Sequence, residues 1–173
     1  MQKDRLEGYT AVMMQDALCE ELHKLFDGRT FNGQEGLKPL KIFKQNLPLD
    51  RGTDDDTDTQ AAAAPYIVVL LDGGKIYNPN STKAVTAVLT VCCYDEADER
   101  YGFREVQNIL ESIEQWACKC PHFGGAFTIL LGHEHYIEDA IQMDDTWPYY
   151  YGAVSFDVSV PVAVPEETYG DLV

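Results

Sequence analysis

Residues 83–117 read KAVTAVLTVCCYDEADERYGFREVQNILESIEQWA, and this stretch decides the fold. Its first twelve residues interleave two series. Val85, Ala87, Leu89, Val91 and Cys93 point one way; Ala84, Val88, Cys92 and Tyr94 point the other, with Thr86 and Thr90 among them. Side chains alternate across a strand, so a segment mostly apolar on both faces predicts a central strand covered on each side. Asp95, Glu96, Asp98 and Glu99 then interrupt it with solvated charge. Beyond them Phe103, Val106, Leu110, Ile113 and Ala117 recur at steps of three and four, widened by Ile109 and Trp116, which predicts an amphipathic helix. Asp98 or Glu99 would sit near its N-terminus, where negative charge is favoured. A helix returning over the sheet that feeds it makes a two-layer core.

The chain has 173 residues and a mass of 19.4 kDa, which suits one domain, 1–173. A formal net charge of −16 repels phosphate and argues against nucleic-acid binding. Five cysteines (Cys19, Cys92, Cys93, Cys118 and Cys120) form no disulfide framework. The first residues lack the apolar core of a signal peptide, and no apolar run approaches the roughly 20 residues of a membrane span. The expectation is a soluble chain made in a reducing cytoplasm, with free thiols.

Upstream, residues 10–26 place Met14, Leu18, Leu22 and Leu25 at helical spacing, and Asp27-Gly28 supplies the stop. Leu40, Ile42 and Phe43 suggest a short strand ended by Pro48. Residues 50–64 contain five aspartates, one arginine and no large apolar side chain, which predicts a mobile acidic loop. Its aspartate run is not a calcium loop: counted from Asp54, Thr59 replaces the glycine needed at the sixth position and Pro65 the glutamate needed at the twelfth. After Pro65, YIVVLL reads as a strand and Asp72-Gly73-Gly74 as a turn; neighbouring strands joined by turns are expected to be antiparallel.

Downstream, residues 126–131 form another strand, and alternation through His133, His135 and Ile137 extends it. Asp144-Asp145-Thr146-Trp147-Pro148 is turn chemistry. Val154, Phe156, Val158, Val160, Val162 and Val164 alternate with Ser155, Asp157 and Ser159, giving a last strand with one wet face. Pro161 lacks an N–H, which suggests an edge strand beyond Val160. Residues 165–173 form a short acidic tail. The expected class is α+β: a mainly antiparallel, mixed sheet with a long helix on one face and an N-terminal helix.

Catalytic signatures are weak. Cys118, Cys120 and His122 with His133 and His135 are the best metal candidates, since imidazole and thiolate suit zinc and the two histidines would share a face of an extended segment. Structural zinc sites, however, favour two to four residues between cysteines, and C-x-C splays its sulfurs. No metal, cofactor or catalytic residue is therefore assigned. Cys92-Cys93 lies in the central strand, where a thiol is inert. Adjacent carboxylates such as Glu138-Asp139 and Asp144-Asp145 suit solvated turns. The cluster of Trp147, Tyr149, Tyr150 and Tyr151 admits two readings: a turn packed on its own sheet, or a contact surface.

Four features together resemble the tail terminator (tail completion) proteins of bacteriophages and prophages with long non-contractile tails. They are the N-terminal amphipathic helix, PYIVVLL, VLTVCCYD leading into GFREVQNILESIEQW, and DDTWPYYYGAV before the last strand. The resemblance implies a virion structural protein with no catalytic residues. Such proteins form a ring, typically a hexamer, on the head-proximal end of the tail tube. The implied partners are further copies of the chain, the major tail tube protein and the head–tail connector proteins. Genomic DNA would pass through without specific binding and no membrane would be involved; assembly would take place in the bacterial cytoplasm and the product would reside in the virion tail. Asp144, Asp145, Trp147, Tyr149 and Tyr151 are the candidate subunit or tube interface. A head–tail connector (neck) protein, or a small cytoplasmic metal-dependent enzyme using His133 and His135, are the alternatives.

Overall fold

A computed structural model describes residues 8–49, 64–79 and 81–163; the acidic stretch 50–63, Val164 and the acidic tail lie outside them. The first helix, α1 (Ala11–Leu25), starts at Thr10, whose hydroxyl accepts the Met13 N–H at 3.1 Å. That bond satisfies one of the amides a helix start leaves open. Met14, Leu18, Cys19 and Leu22 are buried along one face, so the methionine is core material. Gln15 is buried beside them. Its amide donates to the Val69 carbonyl at 2.8 Å and to Gln45 Oε1 at 3.0 Å, and that oxygen also accepts the Leu71 N–H. Two side-chain amides thereby fix α1 to the sheet.

A hairpin of β1 (Thr30–Gly33) and β2 (Gly36–Pro39) precedes the main sheet. Next come β3 (Lys41–Lys44) and β4 (Tyr66–Lys75), which pair in parallel. This parallel pair makes the sheet mixed, while the antiparallel expectation holds for β4 and the strand that follows it. Asp72-Gly73-Gly74 is not a turn. It lies within β4 as an irregularity, where the register against the next strand shifts between Leu71 and Gly74.

The central strand is β5 (Lys83–Tyr94), antiparallel to β4 on one side and to β9 (Tyr149–Val160) on the other. Its Val85, Ala87, Leu89, Val91 and Cys93 are buried beneath the helices. The second helix, α2 (Phe103–Lys119), contributes Val106, Ile109, Leu110, Ile113 and Ala117 to that core. Trp116 packs at its border, whereas Phe103 is 43% exposed and lies outside the buried stripe. Neither Asp98 nor Glu99 caps α2; its N-cap is Gly102, without a side-chain bond, and Glu105 is the acid of the first turn.

The expectation that β5 is covered on both sides is corrected. On the face away from the helices, Cys92 and Tyr94 are buried with Ala64, Tyr66 and Val68, but Ala84, Thr86, Val88 and Thr90 are only half-buried. Among the described residues the sheet has one helical layer and one largely open face.

Between α2 and β9 lie β6 (His122–Phe123), β7 (Phe127–Ile129) and β8 (Glu138–Ile141). The chain does not stay extended through His133 and His135. Gly132 and His133 both take positive φ, 94° and 56°, in a tight turn closed by paired bonds between Gly132 and His135. The main sheet runs β3-β4-β5-β9-β7-β6, with β8 also on β9. The last strand is therefore interior. It holds β5 along its whole length and β7 and β8 on its other side. Pro161 stands just past its end and costs no ladder bond, and its carbonyl accepts the Tyr9 N–H at 3.2 Å. Val162 also lies beyond the strand. Val154, Phe156, Val158 and Val160 are buried and the residues between them half-buried, as the alternation requires. The α+β class with a mixed sheet is what the described residues form.

Candidate functional site

The β8–β9 connection and the α2 N-terminus enclose a groove of about 630 Å³. It brings together all five residues singled out in the sequence: Asp144, Asp145 and Trp147 from the connection, Tyr149 and Tyr151 from β9. The three tyrosines 149–151 are strand residues, not part of a turn. Tyr149 lies edge-on to Tyr94, ring centroids 5.2 Å apart, and near Tyr151 at 6.5 Å. The tyrosines pack on their own sheet, while Trp147 in the loop ahead of them is exposed.

That loop is held firmly. Arg100 forms an ion pair with Asp145, whose carboxyl the guanidinium and the Trp147 N–H hold below the usual range. The Trp147 N–H reaches Asp145 Oδ1 at 3.2 Å. The Thr146 hydroxyl donates to the Tyr149 carbonyl at 2.7 Å, and the Tyr149 N–H returns to the Thr146 carbonyl at 3.0 Å. The Asp95 N–H donates to the Pro148 carbonyl at 2.9 Å, tying the loop to the end of β5. Tyr150 turns its ring onto Gly102, where an added Cβ would lie 2.4 Å from it. Its buried hydroxyl lies beside the Arg100 guanidinium, whose pKa is raised first by Asp145 and further by this hydroxyl.

On this frame apolar side chains face water. Trp147 is 47% and Met143 95% exposed, and Phe103 lines the same groove. Sequence reading missed Arg100, Phe103 and Met143. Phe103 obeys the helical period of the core stripe, so its spacing gave no sign that the first turn of α2 overhangs the groove. The groove sets exposed aromatic and thioether groups beside a charged pair at its rim.

A second hollow, about 370 Å³, opens on the free face of the sheet between Lys75, Tyr77, Thr86, Glu134, His135 and Asp157. Thr86 and Asp157 are cross-strand partners, and the Thr86 hydroxyl donates to Asp157 Oδ1 at 2.6 Å. His135 Nδ1 lies 2.7 Å from the other carboxylate oxygen. His133 does not join it, and His122 instead meets the Thr128 hydroxyl at 2.9 Å. Cys118 and Cys120 are exposed at the end of α2. Among the described residues no three His, Cys, Asp or Glu side chains are grouped to hold a metal ion. Burial pushes the Cys93 thiol well up and Cys19 to about 11, so neither is a ready nucleophile.

Burial pushes the Asp157 carboxyl up, but the Thr86 hydroxyl and His135 outweigh it and hold the group below its usual range. A depressed carboxylate stabilises the fold above its unfolded pKa, about 3.9, and that contribution is lost as pH falls through the folded value. Asp157→Asn should therefore melt earlier than the parent protein near neutral pH. Thermal melts in acid should narrow the gap as pH falls below about 4 and close it only below the folded pKa; a gap of constant size throughout that range would contradict the assignment.

No helix among the described residues is long and apolar enough to cross a membrane. Neither a scan against protein-family models nor a search of curated proteins returned a match to this chain.

Proposed function

We propose that this chain is a structural subunit of a phage or prophage virion, one that assembles as a ring on the head-proximal end of the tail tube, ends its growth and offers the head-docking surface. The observation that carries this reading is the groove beside Trp147. Its rim and wall are built from a loop braced by an ion pair and four hydrogen bonds, yet Trp147, Met143 and Phe103 are left in water. A rigid apolar surface of this kind suits a protein partner. The order of elements supports it too: an amphipathic N-terminal helix, a three-strand centre, a helix over it and a valine-rich last strand are the features on which the resemblance to tail terminators rests. An acidic composition suits a passage for DNA that must not adhere.

In this role the chemistry is surface complementarity alone. The partners are other copies of the chain, the major tail tube protein and the connector proteins, and the working location is the virion tail. Each contact is allowed to be weak, because several acting at once in a ring gain through effective concentration. The biochemical test adds purified chain to polymerising tube protein. The expected result is a shortened length distribution under the electron microscope. Trp147→Ala should raise the concentration needed roughly thirtyfold, the equivalent of losing about 2 kcal/mol at a central contact. Tube lengths indifferent to the added protein would refute the proposal.

A further inference from the structure

Two edge strands of the main sheet, β3 and β8, lie level with each other and carry side chains of opposite charge. Registers can be followed across it strand by strand. Lys44 of β3 leads through Val69, Leu89 and Val154 to Asp139 of β8. The neighbouring rows run from Phe43 to Ala140 and from Ile42 to Ile141. So β3 and β8 are the two ends of the same rows. Among the described residues each is paired on one side only, β3 with β4 and β8 with β9. One edge reads Lys-Ile-Phe-Lys, where Lys44 also forms an ion pair with Asp16 of α1, and the other reads Glu-Asp-Ala-Ile.

The charge difference extends beyond the strands. Residues 8–49 hold five acids and five bases, whereas 95–145 hold twelve acids and three bases. Behind β8, the Glu114 carboxyl is pushed up by burial and by the charges of Asp139 and Glu111. Cations arriving at that edge would relieve the crowding. Charged edge strands normally serve to prevent stray pairing. Opposite signs on the two edges make that protection selective: like edges repel and unlike edges attract.

Direction and hydrogen-bond parity both fit. β3 runs parallel to β4, and three antiparallel steps lead from β4 to β8, so β3 and β8 point in opposite directions. Set copies side by side around an axis along the strands, and β8 of one lies antiparallel to β3 of the next. The Lys41 and Gln45 N–H groups bond to β4, so by alternation Ile42 and Lys44 turn their backbone groups outward. The Gln142 N–H bonds to the Tyr151 carbonyl, so Asp139 and Ile141 likewise turn theirs outward. In the level register Ile42 meets Ile141 and Lys44 meets Asp139, outward groups on outward groups. The Lys44 carbonyl already accepts from the Asn46 N–H at 2.7 Å, so that pair closes with one bond in place of two. Ile42 and Ile141 are both packed against the core at its two borders, and their meeting would make neighbouring cores continuous.

We infer that β3 of one copy pairs antiparallel with β8 of the next, in the register that sets Lys44 opposite Asp139, joining copies head to tail through a shared sheet. Contacts of this kind use two different surfaces and close into a ring when the rotation permits. The inference deepens the ring reading above and rests on it for its biological setting. Disulfide trapping tests it. In a background with Cys118 and Cys120 changed to serine, Phe43→Cys is made in one preparation and Ala140→Cys in another. In the level register these are a non-hydrogen-bonded pair, with Cα atoms about 4.5 Å apart, within the range a disulfide spans. The expected result is a covalent dimer in the mixture and in neither preparation alone. Asp139→Lys added to the second preparation, which sets two lysines opposite each other, should lower the yield roughly fivefold. No dimer in the mixture, or dimers within either single preparation in place of it, overturns the inference. Failure here with a positive tube assay leaves capping without edge pairing; success here with tubes unaffected leaves a ring without a tail.

Discussion

Val158→Asp should abolish folding, while Ser159→Asp at the next position should be tolerated. Val158 has no exposed surface, and it faces Val85 on one neighbouring strand and Ile129 on the other. A carboxylate there finds only hydrocarbon around it. Burying an unpaired charge costs upwards of about 4 kcal/mol, against a total stability of roughly 5–15 kcal/mol for a domain. Ser159 points to the open face, half-buried, with its hydroxyl 2.7 Å from that of Thr82. An aspartate can reach water from that position, at a cost of about 1 kcal/mol or less. Circular dichroism and urea titration would separate the two variants. Equal midpoints would mean that the inner face of β9 is misassigned.

The second large effect is expected at Gly152. This residue sits where α2 crosses β9, and an added Cβ would lie 2.7 Å from Val106 Cγ1, 2.9 Å from Leu110 Cδ1 and 3.1 Å from the Ala140 carbonyl. Two of those neighbours are side-chain tips that can shift. The third is the backbone of β8, which cannot move without loosening its pairing to β9. Gly152→Val should therefore lift α2 and β8 together and lower stability by about 3 kcal/mol, the upper range for overpacking. A urea midpoint equal to that of the parent would contradict this packing.

Both effects bear on what a sequence can disclose. The period of β9 was plain because one face is dry and one wet, and the same contrast defined α1 and most of α2. The rank of each strand in the sheet was not. Pro161 suggested an edge, yet it lies beyond the last ladder bond and says nothing about β9 itself. Apolar residues on both faces of β5 suggested two covering layers, but threonine and small residues at Ala84, Thr86, Val88 and Thr90 are compatible with a face left half open. Asp72-Gly73-Gly74 carries turn chemistry and serves as an irregularity inside β4, because a glycine's permissive backbone suits either.

The candidate surface was legible in part for a related reason. Aspartates, tryptophan and proline marked the loop at 144–148, and aromatic density marked its neighbours. Arg100, Phe103 and Met143 come from elsewhere in the chain and meet the loop only in three dimensions. His133 and His135, two apart in sequence, were expected to share a face; the positive φ at Gly132 and His133 turns the chain between them, and only His135 reaches Asp157. Local geometry set by backbone dihedrals, more than composition, decided which residues meet.

The proposal that the chain caps a tail tube is tested most directly by deleting its gene from an inducible phage that encodes it and measuring the particles released. A growing tube presents unpaired subunit surface at its open end, and a ring bound there competes with the next tube ring. Without the cap, the expected result is DNA-filled heads lacking tails beside free tubes of irregular, excessive length, restored to uniform tails when the gene is supplied in trans. Complete virions from the deletion strain, with tails of uniform length, would contradict the proposal.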